Sequence, residues 1–113
     1  MNILVKIMAK VYITQETTNA DYTPAVKFGD IIFISGVHDR ISPFTHSLNN
    51  SDILKKVQSI CETFEPEDYL VCSGSPTMMA IVGNLLGDRL NNILVWDNRE
   101  AVYHTLNVKK VLS

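Results

Sequence analysis

Apolar residues occupy alternate positions from Asn2 to Thr14, where Ile3, Val5, Ile7, Ala9, Val11 and Ile13 are interleaved with Lys6, Lys10 and Tyr12. A period of two belongs to a strand with one buried face, so this stretch predicts one long, half-exposed first strand. Residues 15–30, QETTNADYTPAVKFGD, are rich in Thr, Asn, Asp and Gly and show no apolar period over their first half. They predict a surface loop, with Val26 and Phe28 as the earliest opening of the next strand. Ile31, Ile32, Phe33 and Ile34 form a continuous apolar run closed by Ser35-Gly36. Such a run predicts a strand covered on both faces and central in its sheet.

The polar stretch VHDRISPFTHSLNN leads into Ser51–Phe64, where Ile53, Leu54, Val57, Ile60, Cys61 and Phe64 trace one stripe at helical spacing. Asn50 or Ser51 is placed to cap this helix, and Pro66 to stop it. Tyr69–Cys72 reads as a strand, Ser73-Gly74-Ser75-Pro76 as a tight turn, and Thr77–Leu90 as a second helix. That helix is apolar around most of its circumference, which predicts deep packing or a face shared with another subunit, and Gly83 is placed to admit a neighbouring backbone. Ile93–Trp96 and Ala101–Val108, joined by Asp97-Asn98-Arg99, predict a closing hairpin. The expected fold class is α/β: one small domain, residues 1–113, of two or three layers. Its mixed sheet has a parallel β-α-β-α-β middle and antiparallel first and last strands.

Composition narrows the function classes. The chain has 113 residues, 46% hydrophobic and 19% charged, enough for one core and not for two. Ten Lys and Arg against twelve Asp and Glu leave a formal charge of −2, so no general attraction to nucleic acid or anionic lipid is expected and any anion site is local. The apolar opening is broken by Lys6 and Lys10 and falls short of the ~20 residues of a membrane span, which predicts a cytoplasmic protein without a leader. Cys61 and Cys72 read as buried small apolar residues of a reducing compartment, not as a disulfide.

In a parallel sheet, ligands gather beyond the carboxyl ends of the strands, the Rossmann-like placement. Three polar loops fall there: Ser35-Gly36-Val37-His38-Asp39-Arg40, Ser73-Gly74-Ser75-Pro76-Thr77 and Asp97-Asn98-Arg99. Gly74 allows a turn closed to other residues, Ser75 suits an N-cap, Pro76 the first helical position, and Thr77 adds a hydroxyl beside free amides that attract an anion. Arg40 and Arg99 supply forked positive charge suited to phosphate. The plainer reading of the same motif is a helix start that binds nothing. His38 is a candidate acid or base, with Asp39 or another carboxylate to orient it; the plainer reading has Asp39 paired with Arg40 and His38 bonded to backbone. His38, His46 and His104 lie eight and fifty-eight residues apart and no cysteine pair has ligand spacing, so neither a metal nor a cofactor is expected. Met78 and Met79 read as core, Trp96 as strand packing, and Lys109-Lys110 as a solvated tail. The Walker, GxGxxG, GxSxG and HExxH motifs are all missing.

Tyr69-Leu-Val-Cys-Ser-Gly-Ser-Pro-Thr-Met-Met79 resembles the nicotinamide-nucleotide segment of ferredoxin-reductase-type flavoproteins, with the difference that Ser73 stands between Cys72 and Gly74. The resemblance covers about a tenth of the chain, and 113 residues cannot hold that family's flavin domain, so oxidoreductase activity does not carry over with it. The same outline of strand, Gly74, Thr77, Met78 or Met79 and helix is similar to CRISPR-associated sensor domains that bind cyclic oligonucleotides. Over residues 22–107, the phrases KFGDIIFISGVHDRISPF, DYLVCSGSPTMMAIVGNLLG and ILVWDNREAVYHTL resemble small proteins of tailed bacteriophages, which implies a viral origin and a bacterial cytoplasm.

The leading expectation is a binding protein that holds a phosphate-bearing, nucleotide-like small molecule at the carboxyl edge of its sheet. An accessory protein acting through protein contacts and self-association is the alternative, and a hydrolase or transferase using His38 the third. A homo-oligomer is expected, because a nearly all-apolar helix and a long first strand offer more apolar surface than the chain's own layers cover.

Overall fold

The computed structural model describes residues 8–43 and 48–112. Five strands form one mixed sheet: β1 (Lys10–Ile13), β2 (Asp30–Phe33), β3 (Tyr69–Val71), β4 (Asn92–Asp97) and β5 (Val102–Asn107), in the order β2-β1-β3-β4-β5. The pairs β1–β2, β1–β3 and β3–β4 are parallel, and β4–β5 is the antiparallel hairpin. The α/β class, the parallel middle and the hairpin are as expected.

The first strand differs in three respects. It is parallel to both neighbours, it sits inside the sheet, and it is four residues long, with Met8, Ala9 and Thr14 of the predicted span described but outside the strand; residues 2–7 of that span lie outside the described residues. Val11, Tyr12 and Ile13 are all fully buried. The predicted alternation counts Tyr12 as polar, but its ring packs edge-on against Phe64 at 5.0 Å and its hydroxyl bonds Thr63 Oγ1 at 2.7 Å. A tyrosine whose tip is satisfied packs like a phenylalanine. β2, expected at the centre, is an edge strand. Its apolar run does meet cover on both sides: Ile32 packs with the helices, and Ile31 and Phe33 with the opposite layer. Burial of both faces is a statement about layers above and below and says nothing of lateral neighbours, which is why the run misleads about position.

The helical layer consists of α1 (Leu48–Cys61) and α2 (Pro76–Leu86), packed on Tyr12, Ile34 and Leu70 through Ile53, Val57, Phe64, Met78, Val82 and Leu86. On the other face Val11, Ile13, Val71, Leu94 and Tyr103 meet Tyr22 and Ala25. These last two belong to the segment expected to be loop: Tyr22 precedes a short 3₁₀ helix, Thr23–Phe28, with Pro24 in its first turn. Three layers result. Neither Val26 nor Phe28 opens a strand.

α1 begins before the predicted caps. Asn50 lies inside it and reaches back to Ser42, donating Nδ2 to Ser42 O at 2.7 Å and accepting Ser42 N at 3.2 Å. It ends at Cys61, ahead of Pro66, where the Arg89 guanidinium takes over: Nη1 donates to Cys61 O and Phe64 O, each at 2.9 Å, and Nη2 to Leu85 O at 3.0 Å near the end of α2. One arginine therefore caps both helices. Helix α2 stops at Leu86 and passes into a 3₁₀ turn, Gly87–Arg89. A Cβ at Gly83 would meet nothing within 4 Å, so no backbone approaches it closely.

On α2, Met78, Val82 and Leu86 are buried within the chain, Met79, Ile81 and Leu85 are half-buried, and Thr77, Ala80 and Asn84 are exposed. Large exposed apolar residues lie mostly elsewhere, on the hairpin and on α3 (Val108–Leu112): Val95, Trp96, Leu106, Val111 and Leu112. Trp96 stacks edge-on against Tyr103 at 4.9 Å yet keeps 41% of its surface in solvent. Lys109 and Lys110 are exposed as expected, but on α3 and not on a tail. Both thiols are free: Cys61 is buried, its pKa pushed up to about 11 by desolvation, whereas Cys72, one residue past β3, is exposed instead of buried.

Candidate functional site

The order β2-β1-β3 makes successive connections leave in opposite directions from β1, and in doubly wound sheets ligands settle in the crevice outside the carboxyl ends at such a switch. Here that edge is built from polar residues that bond one another. Thr14 Oγ1 donates to Ser73 O at 2.6 Å and accepts Ser73 N at 2.8 Å; Ser35 Oγ donates to Thr14 O at 2.6 Å. The Tyr22 hydroxyl closes the group with Ser73 Oγ at 2.7 Å and accepts Thr17 N at 3.1 Å. Thr14 and Ser35 are at most 1% exposed, and burial of that depth is tolerable because the bonds replace water.

Gln15, 6% exposed, joins the loop after β1 to those after β2 and β3. Its Nε2 donates to Gly36 O at 3.2 Å and to Asp39 O at 2.8 Å, and its Oε1 accepts Ser75 N at 2.8 Å. Only this amide orientation meets two carbonyls with the donor and an N–H with the acceptor. Gly74 makes the close approach possible: its φ is +87°, and a Cβ there would lie 2.5 Å from Gln15 Oε1.

Above this platform opens a cleft of about 440 Å³. Gln15, Glu16, Thr17 and Thr18 line it from the loop after β1, Val37, Asp39, Arg40 and Ile41 from the loop after β2, and Ser75 and Met78 from the start of α2. Its size lies within the ~300–1,000 Å³ of small-molecule sites. Of the predicted site residues, Asp39, Arg40 and Ser75 line the cleft, and Ser35, Gly36, Ser73 and Gly74 form the platform beside it. His38 and Thr77 are exposed and lie outside the lining. Asp97 and Arg99 sit on the hairpin: the loops after β2 and β3 converge, and the loop after β4 does not join them.

Charge at the cleft is mixed. Arg40 is exposed, and Asp39 does not pair with it: Asp39 Oδ2 accepts Gly36 N at 2.7 Å and faces Lys56 Nζ at 3.4 Å. Glu16 is exposed; its backbone N–H bonds Ser35 O at 3.0 Å. Ser75 caps α2 as expected, with Oγ accepting Met78 N at 3.3 Å, and Ser75 O accepts Met79 N at 3.0 Å. Pro76 has no N–H to offer and the Met78 and Met79 N–H groups are spent on Ser75, so Arg40 is the cationic group that the described lining presents.

Gln15, Glu16, Thr17, Thr18 and Ile41 are absent from the expected site, Val37 enters it only as part of its loop, and Met78 is read chiefly as core. A first strand read as antiparallel puts residues 15–18 at the wrong end of the sheet; reading it as parallel would have brought them in. On the hairpin, Asp97, Glu100 and His104 offer atoms within 4.8 Å of one another that suit a cation, a grouping the histidine and cysteine spacing does not reveal. Asp97 already accepts Arg99 N at 2.9 Å and His104 Nε2 at 3.1 Å, which together hold its carboxyl below the ordinary aspartate range.

Fold and cleft define a small three-layer α/β protein with a ligand-sized crevice at the switch point of its sheet. The chain belongs to the family of Phage Pam3 gp32-like proteins, whose sequence profile matches residues 9–110. The expected kinship with small phage proteins is thereby met. No curated protein and no solved structure matches the chain significantly, and the likeness of residues 69–79 to flavoproteins has no counterpart there. No helix among the described residues is long and apolar enough to cross a membrane.

Proposed function

We propose that this phage-family protein binds a phosphate-bearing small molecule of nucleotide size in the cleft beside β1, β2 and β3, in the cytoplasm of a bacterial host, and that it acts by binding and not by catalysis. The observation that carries the reading is the coincidence of three features: the strand-order switch, a 440 Å³ cleft at that switch, and the Arg40 guanidinium on its wall. The Rossmann-like principle supplies the position and Arg40 the charge. His38 stands outside the lining, which favours a binding role over acid or base chemistry. Nucleoside phosphates at millimolar concentration are expected to raise the thermal midpoint of the protein by a few degrees, as stabilisation by ~1 kcal/mol requires. Arg40→Ala is expected to abolish that rise without lowering the midpoint of the free protein. An equal rise in the variant contradicts the site.

A second reading, self-association with a second copy of the chain, is favoured by the apolar residues left open at one end of the molecule. Val95 and Leu106 lie on the sheet face beyond the reach of α2, Val111 and Leu112 follow on α3, and β5 is an edge strand. Light scattering at micromolar concentration is expected to give a dimer mass that Leu106→Lys halves; a monomer in the unaltered protein contradicts this reading.

A further inference from the structure

Resting on the proposed cleft, we infer that its ligand carries one phosphate group together with hydroxyl donors, as a phosphorylated ribose does, and is not a polyphosphate. The groups the fold leaves open decide this. Among the described residues Arg40 is the one cationic side chain in the lining, and one guanidinium matches one phosphate in forked, two-point geometry. Glu16 lines the same cleft, exposed and with no ion-pair partner among the described residues. Asp39 is engaged by the Gly36 N–H and by Lys56, so the carboxylate at large in the cleft is that of Glu16. A carboxylate only accepts hydrogen bonds: it repels phosphate, a repulsion that the single Arg40 charge offsets for one phosphate group and not for several, and it is satisfied by hydroxyl groups. Val37, Ile41 and Met78 add apolar wall suited to the uncharged remainder of the molecule. A polyphosphate would need several cations or a helix start with free amides. The cleft supplies one arginine, and the start of α2 has its Met78 N–H taken by Ser75 Oγ.

The test is calorimetric titration of the full chain with AMP, ribose 5-phosphate, inorganic phosphate and ATP, the last with and without Mg²⁺. AMP is expected to bind at least about tenfold more tightly than either form of ATP and than inorganic phosphate, a difference of ~1.4 kcal/mol. Glu16→Gln is expected to narrow the gap between AMP and ATP, and Arg40→Gln to weaken all phosphate ligands together. Ribose 5-phosphate binding as well as AMP assigns the recognition to the sugar phosphate; binding more weakly gives the base a share, and both results support the inference. ATP binding as tightly as AMP or more tightly overturns it and leaves the cleft as a phosphate site. Failure of every phosphate compound overturns the cleft reading and this inference together.

Discussion

Replacing Gln15 with leucine keeps the volume of a 6% exposed side chain and removes three hydrogen bonds at once. Ser75 N, Gly36 O and Asp39 O lose their partner, and buried groups stripped in this way cost about 1–3 kcal/mol each when water does not replace the bond. Gln15→Leu is therefore expected to lower stability by ~2–4 kcal/mol in urea unfolding, and an unchanged midpoint contradicts the clip. Gly74→Ala carries a related penalty, since its Cβ meets the Gln15 side chain and its φ of +87° disfavours alanine. Because both changes act on one contact, Gly74→Ala is expected to cost less in a Gln15→Ala background; strict additivity contradicts their coupling. Gly74 and Ser75 were legible in the sequence, because the glycine turn, the cap and Pro76 are local signals. Gln15 was not: a glutamine opening a polar stretch carries no pattern, and its partners are 21 to 60 residues away.

Helices α1 and α2 were legible from their stripes, yet their ends were not. Pro66 and the apolar run to Leu90 suggested later stops than Cys61 and Leu86, because the feature that closes both helices is Arg89, a residue in a turn. Charge-assisted bonds to backbone carbonyls contribute about 1.5–3 kcal/mol. Arg89→Met is expected to destabilise the protein by ~2–3 kcal/mol, and Arg89→Lys to restore less than half of that, since one ammonium cannot span the two helix ends. Full rescue by lysine in denaturant unfolding contradicts the bridging role. The strands show a related limit. Apolar runs at Ile31–Ile34 and Tyr69–Val71 record that both faces are covered, but an edge strand under two layers and a central one under two layers read alike.

At the scale of the whole molecule, one orientation decides the site. With β1 parallel and inside the sheet, the loops after β1, β2 and β3 open on one edge, and Glu16, Arg40 and Ser75 come to a single cleft. With β1 antiparallel, as its alternating pattern suggested, residues 15–18 would leave from the opposite edge and the hairpin turn would be the natural third wall. The most direct test is a map of backbone amide shifts by NMR as AMP is added. Changes confined to residues 15–18, 37–41, 75, 77 and 78 are predicted, with those of Asp97–Arg99 unmoved. Changes centred on the hairpin, or none at saturating AMP, would contradict the cleft as the binding site.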